Sequence, residues 1–301
     1  MKFKFIIKPP LREELEREIL EFKNSFEIDI ELTEKEGKNS AKNLAKKAIE
    51  EGFDKIVFVG GDGTIGEGVN GIMQAKDKIS KELTVGIVPT GSGNNFSKAL
   101  GIPKNIKEAF RIIKEGKKVS VDVGEVNESY FINCFSLGFD AKINDLANKL
   151  KEKYSFLPRD LSYLFAALKE IVAKIPNYEV KIESQEINFE GKIVLIAITN
   201  SQSYGGIFQI NPEAKISDGK FNLCKILPLG KMKAFKTLFL ATRGQHLKIP
   251  EVKTFLFSSP LKISSKEKIV WEIDGEVKRP QKFFEIKILP KALRFFANYE
   301  N

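Results

Sequence analysis

The fold of this chain is decided by residues 55–65, which read Lys55-Ile56-Val57-Phe58-Val59-Gly60-Gly61-Asp62-Gly63-Thr64-Ile65. The Val/Ile/Phe run predicts a buried strand, and apolar residues at helical spacing after the turn predict a helix. Glycines at a strand-to-helix turn let the backbone approach a bulky anion, because no Cβ intervenes. The N–H groups that open the helix then point at that anion. The stretch therefore predicts a phosphate-binding turn.

A single carboxylate stands among these glycines. Asp62 would repel a bare phosphate, and it makes sense there if a divalent cation bridges the two. A glycine-rich turn can also be no more than a turn. The segment is not a Walker A loop, because no Gly-Lys-Ser/Thr closes it, and it is not the three-glycine dinucleotide fingerprint. The context of strand and helix favours a nucleotide-phosphate site with Mg²⁺.

Composition places the chain among folded globular proteins. It has 301 residues, 42% hydrophobic and 30% charged, which favours two domains over one and excludes disorder. Cys134 and Cys224 are too few for a disulfide framework. The one histidine, His246, excludes a His-based triad and is expected at a helix end. Without eighteen consecutive apolar residues or a signal-like N-terminus, we expect a cytoplasmic protein.

The net charge of +9 comes from lysines interleaved with glutamates. Such a surface suits nucleic acid, an anionic membrane or solubility alone. No nucleic-acid-binding module is recognisable, so we expect no nucleic-acid partner. One stretch suits either peripheral contact with the inner membrane face or packing on the rest of the protein. It combines basic Lys142, Lys149, Lys151, Lys153 and Arg159 with apolar Leu161, Leu164, Phe165 and Leu168.

Two patterns of periodicity divide the chain. Strands alternate with helices as far as about Val119, which predicts a doubly wound, parallel α/β domain. Short β-rich runs then predict an antiparallel β-sandwich, interrupted by helices at 141–153, 161–175 and 231–245. We place the α/β nucleotide-binding domain at residues 1–120 with 290–301, and the β-sandwich at 121–289. An exposed sandwich edge favours a homodimer.

A second glycine-rich turn follows the predicted strand 85–88. Residues 89–95 read Pro-Thr-Gly-Ser-Gly-Asn-Asn, and their hydroxyl and amide groups can donate to phosphate or cap the next helix. Ligands of parallel sheets bind at the carboxyl ends of the strands. Both glycine turns lie at that edge, so they can face one site.

Two Asp-Gly pairs, Asp218-Gly219 and Asp274-Gly275, are typical of hairpin turns. The functional alternative is a cation site at Asp218 and a general base at Glu276. Phosphoryl transfer to an alcohol needs bound phosphates, a metal and a carboxylate near the accepting hydroxyl. Asp122 and Asp140 are either outer ligands of the cation or turn and cap residues.

Five motifs in this order resemble the diacylglycerol kinase catalytic-domain family, in its bacterial soluble lipid-kinase branch. They extend through most of the chain, and five in order are specific where one would be weak. The motifs are Gly60–Ile65 with Glu67; Pro89–Phe96 with Gly101-Ile102-Pro103; Asn133 with Ser136–Ala141; Asn200, Gly205-Gly206, Pro212, Ala214 and Asp218-Gly219; and Asp274-Gly275-Glu276.

The resemblance implies a kinase that transfers the γ-phosphoryl of ATP to a lipid hydroxyl, of diacylglycerol or a related glycerolipid, with ATP between the α/β domain and a lipid-binding β-sandwich. Asp218 would bind Mg²⁺, helped by the carbonyls of Lys215 and Lys220. Glu276 would be the general base, with Asp62 and Asp274 in the catalytic set. The implied ATP contacts are Thr33, Gly60, Gly61, Asp62, Gly63, Thr64, Ile65, Ser92 and Asn94.

Two departures from the family pattern bear on activity. Lys8-Pro9-Pro10 stands where the family has Asn-Pro and small residues, and Asn95 stands where it has Asp. A neutral Asn95 predicts a weaker hold on the metal and leaves the particular lipid open. Two alternatives remain: an NAD kinase-like phosphotransferase, which shares the Gly-Gly-Asp-Gly turn, and a non-catalytic nucleotide-binding module at the membrane surface.

Overall fold

The computed structural model describes residues 2–34, 39–154, 159–205 and 207–298. The chain divides into two compact units, Met1–Val121 with Lys291–Asn301, and Asp122–Pro290. The first unit is therefore built from both ends of the sequence, and the chain passes between the units twice. Within the described ranges, no helix combines the length and the hydropathy that crossing a bilayer requires.

Strands and helices alternate in the first unit, as the sequence predicts. The strands form a parallel sheet in the order β2-β1-β3-β4, and the end of the chain adds a further parallel strand where Phe295 pairs with Val85. The predicted doubly wound α/β fold is confirmed. Its elements are β1 (Lys2–Ile7), α1 (Glu13–Lys23), β2 (Glu27–Leu32), α2 (Ser40–Glu50), β3 (Lys55–Gly60), α3 (Asp62–Gln74), β4 (Thr84–Pro89), α4 (Asn95–Ala99) and α5 (Ile106–Glu115).

Local sequence explains these elements. β3 and β4 are buried along their whole length, which is typical of central strands covered by helices on both faces. Helix α5 begins where the Asn105 side chain accepts from the Glu108 N–H at 2.9 Å, and it ends at Gly116, whose φ is +72°. Aromatic rings from a strand and a helix fill the core, with Phe5 and Phe110 stacked at 5.9 Å.

The second unit is mainly antiparallel. Its strands run in the order β12-β11-β10-β7-β13-β14; β8 pairs with β13 and carries β9 on its other side, and β5 pairs with β14 and with β6. The elements are β5 (Lys118–Val126), β6 (Ser129–Phe131), β7 (Cys134–Gly138), α6 (Phe139–Lys153), α7 (Arg159–Ala173), β8 (Tyr178–Glu183), β9 (Asn188–Ile193), β10 (Leu195–Thr199), β11 (Phe221–Ile226), α8 (Lys231–Ala241), a 3₁₀ helix (Gln245–Lys248), β12 (Val252–Phe257), β13 (Leu261–Ile273) and β14 (Glu276–Phe296).

Two apolar clusters stabilise this unit. One fills the space between the strands, where Trp271 lies 6.0 Å from Phe135 and 5.7 Å from Phe284, measured between ring centroids. The other joins α6, α7 and α8 to Val194, Leu195 and Ile226. The predicted β-sandwich with inserted helices is confirmed.

A predicted helix boundary in this unit is wrong, and one strand is longer than its sequence suggests. β13 continues through the charged residues between Ser264 and Ile269, where its pairing register shifts. The helix that begins at Lys231 ends at Ala241, and His246 lies in the following 3₁₀ helix, fully buried. Tertiary contacts decide whether a strand continues through charged residues and whether a single polar residue is buried. A local sequence pattern does not report those contacts.

Lys225 on β11 is a buried cation among aromatic rings. It is 4% exposed, and its Nζ lies 3.1 Å from the ring centroid of Phe189 and 5.0 Å from that of Phe255. Burial, with a smaller contribution from Lys253, lowers the pKa of Lys225 to about 8. Between pH 8 and the ordinary lysine range near 10.5, the unfolded chain therefore binds more protons than the folded chain. Stability rises with pH across that window.

We expect Lys225→Met to stabilise the protein at pH 7 by about 1 kcal/mol, because the buried cation is replaced by an apolar side chain of similar length. The advantage should disappear towards pH 10.5, where the wild-type amine is neutral in both states. Urea unfolding at pH 7, 9 and 10.5 measures the difference, with the exposed Lys262→Met as the control. A difference that stays constant across this range would contradict the prediction.

Candidate functional site

The first glycine turn joins the buried strand β3 to α3. β3 ends at Gly60, Gly61 is the N-cap residue, and α3 begins at Asp62. A Cβ on Gly60 would lie 2.6 Å from the Thr64 side chain, so a larger residue does not fit. The predicted strand, turn and helix are all present. The first N–H groups of α3 have no partner within the helix and are available to an anion.

The second turn, residues 90–94, lies directly against the first. The Thr90 N–H donates to the Gly60 carbonyl at 3.0 Å. A Cβ on Gly91 would lie 2.5 Å from the Gly61 Cα, so the two backbones are in contact and this approach requires glycine. β3 and β4 are adjacent parallel strands, so their carboxyl ends share one edge. The structure therefore brings together the two turns that the sequence places at this edge.

Asp62 joins the two turns through its side chain. One carboxylate oxygen accepts from the Asn95 backbone N–H at 3.1 Å and from Asn95 Nδ2 at 3.3 Å. The other accepts from the Phe96 N–H at 3.2 Å. Asp62 thus caps α4, whose own N-cap residue, Asn94, provides no side-chain cap. No local pattern indicates this role, because the bonded residues are 33 positions apart.

The other predicted nucleotide contacts lie along the same sheet. Thr33 follows β2, is buried, and donates its N–H to the Ile7 carbonyl at 2.9 Å. Ser92 is exposed in the second turn, and its carbonyl accepts from Lys104 Nζ at 2.9 Å. The sequence-based prediction did not include Lys104 among the candidate phosphate contacts. Its position directly after Gly101-Ile102-Pro103, close in sequence to the second turn, could have indicated it. It adds a cation next to the predicted phosphate position.

Oxygen atoms at the end of the second turn and in the first turn of α4 could act as ligands of a cation. Within the described residues, the Oδ1 atoms of Asn94 and Asn95 and the Ser97 hydroxyl are buried without a hydrogen-bond partner. Amide and carboxylate oxygens are the ligands that Mg²⁺ prefers, and Asp62 supplies a carboxylate beside them. The described residues contain no cluster of three or more His, Cys, Asp or Glu suited to a metal. A cation here would therefore be shared with phosphate oxygens.

In the second unit, Asp274 and Gly275 form the predicted two-residue hairpin between β13 and β14. Both have positive φ, +47° and +86°, and Ile273 pairs with Glu276. The Asp274 carboxylate accepts from three consecutive backbone N–H groups, those of Ile132, Asn133 and Cys134, at 2.9–3.0 Å. The structure therefore gives Asp274, expected in the catalytic set, a role in holding the β6–β7 segment to the hairpin.

Glu276, the predicted general base, is the first residue of β14. Its side chain is 51% exposed and forms an ion pair with Lys278 at 2.6 Å. It projects from a hairpin that Asp274 anchors, so its backbone is fixed while its carboxylate reaches solvent. A half-exposed carboxylate on a rigid turn can accept a proton from a bound hydroxyl.

Asp218 lies in a turn that leads into β11, and the hairpin prediction for this segment is wrong. Its partner strand β10 is connected to β11 by the long segment 200–220. Asp218 is exposed and accepts from the Lys220 N–H at 3.0 Å. The buried Asp122 accepts from the Gly219 N–H at 2.7 Å, which holds this turn. Lys215 lies in the same segment, whereas Gly206 of the corresponding motif lies outside the described residues.

An apolar cavity of about 90 Å³ lies in the second unit, and the sequence analysis did not anticipate it. It is lined by residues of α6, α7, α8, β10, β11 and the 3₁₀ helix, most of them aliphatic or aromatic. Four polar side chains, Asp140, Tyr204, Thr237 and His246, complete the described wall. A cavity of this composition binds an apolar ligand whose orientation is set by a few polar contacts.

Asp140 belongs to a buried pair of carboxyl groups. Ser136 Oγ lies 2.7 Å from Asp140 Oδ2 and 3.2 Å from Glu272 Oε1. Asn144 Nδ2 donates to Glu272 and, at 2.9 Å, to the Gly275 carbonyl. Burial raises the pKa of Asp140, which favours one proton shared within the pair. A hydrogen-bonded path therefore leads from the cavity wall to the turn that precedes Glu276.

The fold and the site together define a class of protein: a two-unit protein whose α/β unit has paired glycine turns suited to phosphate and whose β-sandwich unit contains an apolar cavity. Comparison with known proteins gives the family. Residues 10–126 match the family model for the diacylglycerol kinase catalytic domain. Residues 133–297 match the model for the YegS C-terminal NAD kinase beta sandwich-like domain.

Curated relatives agree with these matches. A diacylglycerol kinase of Staphylococcus carnosus (strain TM300) is 31% identical over 267 residues, which are 88% of this chain and 84% of the relative. One from Bacillus subtilis (strain 168) is 30% identical over 237 residues, 78% of this chain and 75% of the relative. The chain belongs to the diacylglycerol kinase catalytic-domain family and is an ATP-dependent lipid kinase, as its motifs predict.

Solved structures extend the likeness to the whole fold. The structure of a putative diacylglycerol kinase from Bacillus anthracis str. Sterne has a TM-score of 0.80 at 22% identity, covering 99% of this chain and 97% of that chain. An NAD kinase from Archaeoglobus fulgidus in complex with ATP has a TM-score of 0.56 at 15% identity, covering 99% and 94%. The NAD kinase alternative is therefore reduced to a distant similarity of fold.

Proposed function

We propose that this lipid kinase phosphorylates the hydroxyl of diacylglycerol or a related glycerolipid. The observation that carries the proposal is the apolar cavity whose acidic wall residue, Asp140, is hydrogen-bonded through Ser136, Glu272 and Asn144 to the Gly275 carbonyl. An acyl chain in this cavity would bring its polar end towards the Glu276 turn. The similarity to curated diacylglycerol kinases supports diacylglycerol as the first lipid to test.

The nucleotide is assigned to the first unit. Gly61, Gly63 and Thr64 would bind phosphate oxygens through backbone N–H groups at the start of α3. Gly60 would leave room for the phosphate beside them, whereas the Ile65 N–H already donates to the Gly61 carbonyl at 3.1 Å. Thr33, Ser92 and Asn94 would add polar contacts. Lys104, held by the Ser92 carbonyl, would add positive charge. The close contact of Gly61 with Gly91 supports this assignment, because it leaves the backbone of both turns without side chains to obstruct a ligand.

Mg²⁺ would neutralise part of the phosphate charge during phosphoryl transfer. The Asp62 carboxylate and the unpartnered amide oxygens of Asn94 and Asn95 are the candidates to hold it beside the phosphates. Asp218, with the carbonyls of Lys215 and Lys220, is the candidate for a second cation. Among the described residues, Oδ1 of the exposed Asp218 accepts from the Lys220 N–H, and Oδ2 is the oxygen that would bind the metal.

Glu276 is assigned as the general base. Its carboxylate would accept the proton of the lipid hydroxyl as the γ-phosphoryl group is transferred. Asp274 is assigned as a positioning residue, since its oxygens are occupied by backbone N–H groups. The Lys278 ammonium lies 2.6 Å from the Glu276 carboxylate and holds it on the exposed side of the hairpin.

The α7–α8 face, defined here as exposed apolar Leu161, Phe165, Val172, Met232 and Phe239, is assigned to peripheral membrane contact. Met232 is 82% exposed and Phe239 61% exposed. Basic Lys231, Lys236 and Arg243 lie in or just after the same helix as Met232, which suits an anionic surface. Lys233 of this helix is paired with Glu251 and is left out of the set.

The basic residues suggested by sequence for this contact are less suitable. Lys142 forms an ion pair with Glu170 at 2.7 Å, and Lys149 forms one with Asp145 at 2.6 Å. The Arg159 side chain lies outside the described part of the chain. The proposed membrane contact therefore depends on the apolar residues of the α7–α8 face and on the basic residues of α8.

The assay that tests the function offers γ-³²P-ATP with Mg²⁺ and vesicles of phosphatidylglycerol, with or without diacylglycerol, in parallel with NAD in solution. The proposal expects label in phosphatidic acid when diacylglycerol is present, and none in NAD. Omitting Mg²⁺ should abolish the label. Labelled NAD, or equal labelling of lipid without diacylglycerol, would refute the assignment.

A further inference from the structure

Lys278 is a cation that the fold holds beside the proposed general base. Its Nζ lies 2.6 Å from Oε2 of Glu276. The two residues are two positions apart on β14, so their side chains extend from the same face of the strand. The Lys278 side chain is 25% exposed and that of Glu276 is 51% exposed, so the ion pair lies at the surface of the hairpin.

The backbone around Lys278 is fixed by the neighbouring strand. Lys278 pairs with Trp271, and the Trp271 indole N–H donates to the Arg279 carbonyl at 2.8 Å. The register then shifts, because β14 contains one residue more than β13 before Gln281 pairs with Ile269. A bulge of this kind alters the direction of nearby side chains and is common beside active sites. The ammonium group is therefore carried by a backbone that is held in place.

Phosphoryl transfer changes the charges around this ammonium group. In the proposed reaction, the bond from the lipid oxygen to the γ-phosphorus forms and the bond from that phosphorus to the ADP oxygen breaks. The proton of the lipid hydroxyl passes to Glu276, which becomes neutral. The product is a phosphate monoester with a charge of about −1.5 to −2, attached to the oxygen whose proton Glu276 has accepted. The anion beside Lys278 is then the phosphate and no longer the carboxylate.

We propose that Lys278 exchanges its partner during turnover, from the Glu276 carboxylate to the newly formed phosphate monoester of the product. This inference rests on the proposed function and adds a product-binding residue to it. Lysine binds phosphate as a point charge, and its flexible stem lets the ammonium move by the width of a carboxylate while the backbone stays fixed. Before the transfer, the same charge reduces the repulsion between Glu276 and the incoming phosphoryl group.

A neutral substitute for the protonated base tests the exchange. Glu276→Gln removes the carboxylate charge from the pair, as protonation does. We would measure the binding of dihexanoyl phosphatidic acid to the full chain by isothermal titration calorimetry, at low salt and without nucleotide. In the Glu276→Gln background, Lys278→Gln should weaken this binding about tenfold, because a charge-assisted hydrogen bond is lost. In the wild-type background, where the carboxylate still pairs with the ammonium, the loss should be no more than about threefold.

Two controls separate this effect from general attraction of anions. Dihexanoylglycerol has no phosphate, so its affinity should be the same with and without Lys278→Gln in either background. Lys282→Gln is the matched variant, because it removes another exposed lysine of the same strand. Its effect on phosphatidic acid should be small and equal in the two backgrounds, since screening weakens the interaction of exposed charges that are not in contact.

Equal losses from Lys278→Gln in the two backgrounds would overturn the inference, because the lysine would then attract anions whatever the state of Glu276. Failure of phosphatidic acid to bind any of the variants would overturn it as well. Transfer of label from γ-³²P-ATP to diacylglycerol is measured separately. Label in phosphatidic acid together with equal losses would retain the proposed function and refute this inference alone. The expected difference between backgrounds without label would refute the proposed substrate and leave the phosphate contact of Lys278 standing.

Discussion

Glu276→Gln should lower the turnover of lipid by about 100-fold or more, with little change in thermal stability. The amide has the size of the carboxylate but cannot accept the proton of the attacking hydroxyl. The Glu276 side chain is 51% exposed, and within the described ranges its ion pair is with Lys278. An exposed pair of this kind contributes little to stability, so we expect the variant to fold normally. Steady-state kinetics with saturating ATP and diacylglycerol vesicles measures the effect, and calorimetric unfolding measures the stability.

Asp274→Asn is the matched variant two residues away. Its amide would place an NH₂ group against backbone donors that now bond to a carboxylate, so we expect a loss of about 1–3 kcal/mol in stability. The protein that remains folded should keep most of its turnover. These results would identify Glu276 as the general base and Asp274 as a residue that stabilises the hairpin. Near-normal turnover in Glu276→Gln would exclude Glu276 as the base.

Asp62→Ala should abolish detectable nucleotide-dependent activity and also lower stability by about 1–2 kcal/mol, because it removes the cap of α4. The sequence alone predicts loss of turnover with an intact fold, whereas the hydrogen bonds to Asn95 and Phe96 predict both losses. Titration with an ATP analogue and calorimetric unfolding measure them separately. If Asp62→Ala is as stable as the wild type, the hydrogen bonds from Asp62 to Asn95 and Phe96 do not stabilise the contact between the two turns.

Asn95 offers a sharper variant at the same junction. Its Nδ2 lies 3.3 Å from an Asp62 oxygen, so Asn95→Asp would place two carboxylates in contact. Like charges at this distance require a shared proton or a cation. We expect the melting temperature of Asn95→Asp to fall in chelator and to rise with millimolar Mg²⁺ more than that of the wild type. Asn95→Ala, which adds no charge, should be destabilised to the same extent with and without Mg²⁺.

Much of the first unit could be predicted because its signals are local. The run from Lys55 to Ile65 carries its own strand, turn and helix start, and the all-buried strands have the Val/Ile/Phe composition of parallel sheets. The hairpin at Asp274 was equally local, because Asp-Gly tolerates the positive φ values that the turn requires. The hairpin expected at Asp218 was wrong for the converse reason. An Asp-Gly pair specifies a turn, but not which strands the turn connects.

Backbone conformation follows from neighbours in the chain, so local sequence specified the glycines that allow Gly61 to touch Gly91 and the alternation that builds a parallel unit before an antiparallel one. The meeting of polar groups could not be predicted in this way. Asp62 bonds across 33 residues, Ser136 bonds to Glu272 across 136, and His246 lies in a cavity wall. The partner of a buried donor or acceptor follows from packing, which joins residues that are distant in sequence.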